Sequence, residues 1–116
     1  MNYVDGFVIP VPADGKRAYL DMAAKAAPIF KEHGATRVVE CWGDDVPEGK
    51  VTDFKGAVKA NEAENIVFSW IEWPSKEVRD AGMAKVMADD RMHPDGPMPF
   101  DGKRMIYGGF VPMLDQ

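Results

Sequence analysis

Apolar and polar positions recur along this chain with two different periods, and the points where the period changes mark its elements. Residues 2–11, "NYVDGFVIPV", mix aromatic and β-branched side chains and predict a first strand, closed by Pro10 and Pro12, neither of which can donate to a ladder. The period then lengthens. Tyr19, Met22, Ala26, Ile29 and Phe30 recur at spacings of three and four, which predicts a helix capped by Asp14 and ended by Gly34 in the left-handed conformation. His33 falls in its last turn, where a partly charged imidazole complements the negative end of the helix dipole. "TRVVECWG", residues 36–43, predicts a second strand. "DDVPEGKVTDF" reads as a turn with an edge segment, residues 51–54, returning along that strand, and "KGAVKANEAEN" as loop or a short helical turn. "NIVFSWIEW", residues 65–73, is the most apolar strand. Ser75 then caps a second helix with the stripe Val78, Gly82 and Val86, flanked by Met83 and Met87. Turn residues fill "DDRMHPDGPMPFDG", and residues 103–112, with "RMIYGGFVP" at their centre, give the last strand.

The order strand, helix, strand, strand, helix, strand is that of an α+β, ferredoxin-like βαββαβ antiparallel sheet with both helices on one face, in a single domain spanning residues 1–116. That topology puts the first and third strands in the centre, the second beside the third and the fourth beside the first. Two helices cover one face only, so a half-exposed sheet should alternate apolar with polar. These strands do not. The third has Ile66, Phe68 and Trp70 on one parity and Val67, Ile71 and Trp73 on the other, and the fourth sets Met105, Tyr107 and Val111 against Ile106 and Phe110. Each large side chain left in water would forgo about 1.5–3 kcal/mol. A second copy meeting the first sheet to sheet about a two-fold axis would bury the same patch on both chains and close a dimeric barrel.

Composition narrows the partners. The chain has 116 residues, of which 46% are hydrophobic and 28% charged, as in a soluble globular domain, and it has no apolar run long enough to cross a bilayer. A formal charge of −5 opposes binding to nucleic acid, which relies on clustered Lys and Arg. The N-terminus lacks the basic start and apolar centre of a secretory signal, so a cytoplasmic location is expected. Cys41 is the single cysteine, which excludes an internal disulfide or a thiolate zinc cage, and it reads as a buried small hydrophobe. Asp44, Asp45 and Glu48 match no hard-ion loop and read as a solvated turn. With two histidines and no suitable carboxylate spacing, no metal and no cofactor is expected.

Few residues invite chemistry. Asp5 and Glu40 are carboxylates within strands, where burial would raise their pKa and suit them to proton transfer; otherwise they sit at a rim or pair with Arg37 or Arg104. His93 lies in a loop that can fold over the sheet, although its neighbours Asp89, Asp90 and Asp95 read as turn and helix-end residues. Tyr107, Trp42, Trp70 and Trp73 supply apolar surface with a polar handle, for a core or for an aromatic pocket. Gly108 and Gly109 interrupt the last strand, with Gly6 opposite or diagonal to them. Such glycines mark a barrel bend, a bulge or room for a ligand.

The stretches "NYVDGFVIPVP", "VECWGDDVPEGKVTDF", "VFSWI", "KVMADDRM" and "MPFDGKRMIYGGF" resemble the YbaA-like bacterial proteins, a family of unknown function in the dimeric α+β barrel superfamily. The resemblance implies a ferredoxin-like protomer, a homodimer, and ligands held in a cleft between sheet and helices. It does not select a chemistry. The expectation is a homodimer with a small apolar cleft for a small metabolite. Alternatives are a cofactor-independent monooxygenase-like enzyme for an aromatic or quinol-type substrate, using Asp5, Glu40, Tyr107 or His93, and a structural or stress-related dimer without catalysis.

Overall fold

The computed structural model describes residues 2–93 and 96–116. Its elements are β1 (Tyr3–Pro12), α1 (Lys16–Glu32), β2 (Arg37–Trp42), a single turn α2 (Phe54–Ala57), β3 (Glu64–Trp73), α3 (Lys76–Ala88) and β4 (Ile106–Phe110). The four strands form one antiparallel sheet in the order β2-β3-β1-β4. The long strands β1 and β3 are paired along their full lengths, from Tyr3 opposite Trp73 to Pro12 opposite Glu64.

Register decides which side chains meet which layer. Odd residues of β1 and β3 face the helices and make the core. One cluster joins Ile9, Val11 and Val67 to Tyr19 and Ala23 of α1, and another joins Tyr3, Ile71 and Trp73 to Ala35. Trp73 is fully buried beneath α3. Gly82 of α3 explains that approach, because a Cβ there would stand 2.6 Å from the Trp73 ring and overlap the His33 carbonyl. Even residues of β1 and β3 face away from α1 and α3. Phe68, Ile106 and Phe110 remain exposed on that open face, beside Val4, Val8 and Trp70, around a shallow apolar depression.

The capping chemistry differs at the two helices. The Ser75 side chain accepts from Val78 N–H at 3.1 Å, as expected. Asp14 does not cap α1: it lies in a 3-10 turn, Ala13–Gly15, and Gly15 holds the N-cap position without a side-chain bond. No strand forms at residues 51–54. Asp53 instead accepts from the Gly49 and Gly56 N–H groups and starts α2, the short helical turn foreseen nearby. Cys41 is exposed rather than buried, because β2 is an edge strand and Cys41 pairs with Phe68 on the open face.

Candidate functional site

Polar side chains interrupt the helix-facing surface of the sheet at three positions. Asp5 is the first. It is buried, accepts from Trp73 Nε1 at 2.9 Å, and lies 3.7 Å from Arg79 Nη1. Burial holds its pKa above the usual carboxylate value, while Arg79 and the indole N–H pull it back down. Arg79 also donates to the Tyr3 hydroxyl at 2.8 Å and lies 4.7 Å over the Tyr3 ring. Gly109 stands opposite Asp5, and a Cβ there would sit 2.7 Å from Arg79 Nη2 and collide with the Tyr3 hydroxyl. Gly109 therefore makes room for a structural network, not for an open cleft.

Glu40 and Ser69 are the other two, and the ladder places them directly opposite each other. The Tyr19 hydroxyl of α1 donates to Glu40 Oε1 at 2.7 Å. Glu40 is exposed as a residue, but its carboxyl lies in the desolvating surroundings of the cavity beneath α1. Burial raises its pKa, and the Tyr19 and Ser69 hydroxyls offset part of that rise. Tyr19 is pushed upward strongly by burial, then by its hydrogen bond to Glu40 and by the Glu40 charge, so its phenol stays protonated and donating.

This trio opens into a cavity of about 620 Å³ between the sheet, α1 and the segment leading to β4. The walls are chiefly Phe7, Ile71, Phe30, Phe100 and five methionines, Met22, Met87, Met92, Met98 and Met105, with Asp21, Lys25 and Arg91 also lining it. Phe100 closes over Tyr19 with ring centroids 5.8 Å apart. Arg104 fixes the roof, donating through both Nη atoms to buried Glu64 at 2.7 Å and to the Lys59 carbonyl at 2.9 Å. Glu64 and Arg104, not Glu40 and Arg104, are thus the pair, and Arg37 lies against Glu72.

The remaining candidate residues are dispersed. Trp70 and Gly108 belong to the open face, where Gly108 pairs directly with Gly6 and the Phe110 ring covers both, 3.5 Å from a Cβ at either. Trp42 packs half-buried against the Ile9 cluster, with Lys16 Nζ 5.7 Å from its ring centre. Tyr107 is 74% exposed on edge strand β4, its ring 6.2 Å from that of Phe7. His93 is exposed and meets the Met87 carbonyl through Nε2 at 3.1 Å; its neighbour Asp95 lies outside the described residues. His33 pairs with Asp89 at 3.1 Å beside Glu32. Arg91 already bonds both carboxylates, which occupies the space a cation would need. Tyr19 and Ser69 were missed as site residues. Their signal was a polar residue at mid-strand in each of two adjacent strands, Glu40 between Val38 and Trp42 and Ser69 between Val67 and Ile71.

The fold defines the class: an α+β domain with a four-stranded antiparallel sheet and its long helices on one face. Residues 2–102 match the family described as a protein of unknown function (DUF1428). The chain is 68% identical over 117 aligned residues to the uncharacterized protein YbaA of Escherichia coli strain K12, with 100% of both chains covered, and YbaA of Shigella flexneri matches equally. The chain belongs to this family. A solved structure, Rv0793 from Mycobacterium tuberculosis, aligns with a TM-score of 0.44 at 14% identity, covering 100% of this chain and 98% of that one.

Proposed function

We propose that the protein is a homodimeric small-molecule-binding protein of the cytoplasm, each ferredoxin-like protomer holding its ligand between α1 and the sheet. The observation that carries the reading is the mostly apolar, half-open cavity with a desolvated carboxyl, Glu40, at its base. Ligand pockets of about 300–1,000 Å³ with mainly apolar walls and a few fixed polar groups are the common form of such sites. The dimer rests on the open face, where Phe110 is 61% and Phe68 45% exposed beside Ile106 on a contiguous patch. Soluble monomers rarely leave such a patch in water, and a two-fold pairing covers it with itself.

Native mass spectrometry of freshly purified protein at low micromolar concentration tests both parts. A dimer carrying extra mass, lost in an Ala26→Trp variant that fills the cavity, supports the reading. Phe110→Glu should give monomers. A monomeric wild-type protein sinks the dimer, and retained mass that survives Ala26→Trp moves the ligand elsewhere.

One observation favours a second reading. A carboxyl with a raised pKa, held by a protonated phenol in a mostly apolar cavity, can take a proton from an activated aromatic substrate. A cofactor-independent oxygenase built this way consumes oxygen with quinol-type substrates and loses that activity in Glu40→Gln. Absence of both binding and turnover leaves a structural dimer.

A further inference from the structure

We infer that the ligand of the α1 cavity is an apolar amine, its ammonium head at Glu40 and its hydrocarbon or aromatic body among the methionines. This deepens the binding-site reading and rests on it.

The inference follows from donors, acceptors and charge. Tyr19 has one hydroxyl proton, and it is committed to Glu40 Oε1. An ionised carboxylate offers about four lone-pair positions and no donor, so Glu40 keeps acceptor capacity after Tyr19 is served. Its charge has no counter-ion. Among the described residues no cation forms an ion pair with Glu40: Arg91 at the cavity wall is bound to Asp89 and Glu32, Arg104 to Glu64 and Asp101, and Lys25, which also lines the cavity, stands beyond ion-pair distance of it. The two buried carboxyls do have one, Asp5 facing Arg79 and Glu64 facing Arg104. Glu40 has none, and it opens into a cavity.

Folding has already removed part of the water from Glu40, so a bound cation meets a carboxylate that is partly desolvated. That reduces the term which usually cancels the gain from a buried ion pair. An anionic ligand would instead face like charge at low dielectric. The body is mainly apolar because most of the wall is aliphatic, aromatic and thioether, with Asp21, Lys25 and Arg91 the charged side chains beside Glu40, and methionine adapts to irregular or aromatic shapes.

The test uses three probes on one skeleton, 2-phenylethylamine, 2-phenylethanol and phenylacetate, titrated into full-length protein carrying ¹³C-methyl methionine. The Met22, Met98 and Met105 methyls report the cavity, and Met113, fully exposed at the surface, serves as reference. The amine should shift the cavity methyls with at least about tenfold tighter binding than the alcohol, the worth of one charge-assisted hydrogen bond, and phenylacetate should shift none. Glu40→Gln keeps an acceptor for Tyr19 and should abolish the preference for the amine over the alcohol. An alcohol as tight as the amine, or phenylacetate as the strongest probe, overturns the amine assignment and leaves the binding site standing. No shift from any probe overturns both.

Discussion

Gly109→Ala isolates the close approach of β4 to the α3 side of the core. The added methyl would lie 2.7 Å from Arg79 Nη2 and 2.8 Å from Tyr3 Cε2, and it would overlap the Tyr3 hydroxyl. Gly109 has no positive φ, so the alanine carries no backbone strain and the effect is purely steric. Tyr3 is buried and the methyl overlaps its hydroxyl, so the ring must shift and Arg79 must move as well. Moving it breaks the 2.8 Å bond to the Tyr3 hydroxyl, about 1.5–3 kcal/mol for a hydrogen bond to a charged group. It also ends the contact with the ring face, about 0.5–1 kcal/mol. Alanine returns about 0.5–1 kcal/mol through lower chain entropy in the unfolded state. The balance is a destabilisation of about 1–3 kcal/mol. Urea unfolding followed by tryptophan fluorescence measures it, at one protein concentration for all variants because association shifts the midpoint. Gly108→Ala is the control. Its methyl meets only the Phe110 ring at 3.5 Å, an ordinary contact, and should change stability by no more than about 0.5 kcal/mol. Equal midpoints for the two variants would falsify the steric account.

Three further outcomes follow from packing and charge. Pro28 is exposed inside α1, where it lacks the N–H that would bond back along the helix, so Pro28→Ala should stabilise the protein by about 1–3 kcal/mol in the same unfolding assay. Gly82→Ala should destabilise by about 1–2 kcal/mol despite the better helix former, because the methyl meets the His33 carbonyl and the Trp73 ring; an unchanged midpoint would show that α3 can slide. Asp5 has a folded-state pKa above its unfolded value, so the native state binds the extra proton between the two. Its contribution must then decline as pH rises from about 4 through the folded pKa, and Asp5→Asn should flatten that part of the stability profile. Asp89 and Glu64 are shifted downward, chiefly by Arg91 and Arg104 respectively. Their stabilisation is present above the ordinary carboxylate range and is lost as pH falls below it, so the Asn variant should keep the acid limb.

The strands and helices were legible where one signal dominated. β3 was expected at 65–73 and runs from Glu64 to Trp73, and α3 begins at Ser75 with the bond its sequence predicts. The misreadings share a cause, which is that local chemistry had more than one use. Asp14 has the side chain of an N-cap, but Pro12 leads into a 3-10 turn and places Gly15 at that position. Val51 and Phe54 look like strand residues, yet Asp53 between them gathers two backbone N–H groups and turns the chain into α2. Cys41 was assigned inward by residue type, whereas its register opposite Phe68 sends it to the open face. The site was less legible still. Glu40 was found from its position in a strand, but its neighbour Tyr19 looked like one more core residue of a helix stripe. Only the register, 40 opposite 69 beneath α1, shows that the three polar groups meet.

Asp5 and Glu40 separate on the same criterion that divides structural from functional carboxyls in general. They share a sheet face, and burial raises the pKa of both. Asp5 meets an arginine and an indole N–H, and the chain closes over it so tightly that the facing strand residue must be glycine. Glu40 meets a neutral phenol, no ion-pair partner among the described residues, and open volume. Neutralising Asp5 would leave Arg79 with Asp80 and the Tyr3 hydroxyl but without its buried carboxylate, so the substitution should register in stability. Neutralising Glu40 strands no charge in the protein and leaves Tyr19 an acceptor if the replacement is glutamine, so its substitution should register in what the cavity accepts. Among the described residues no cation forms an ion pair with Glu40, and on the proposed reading the ligand supplies one.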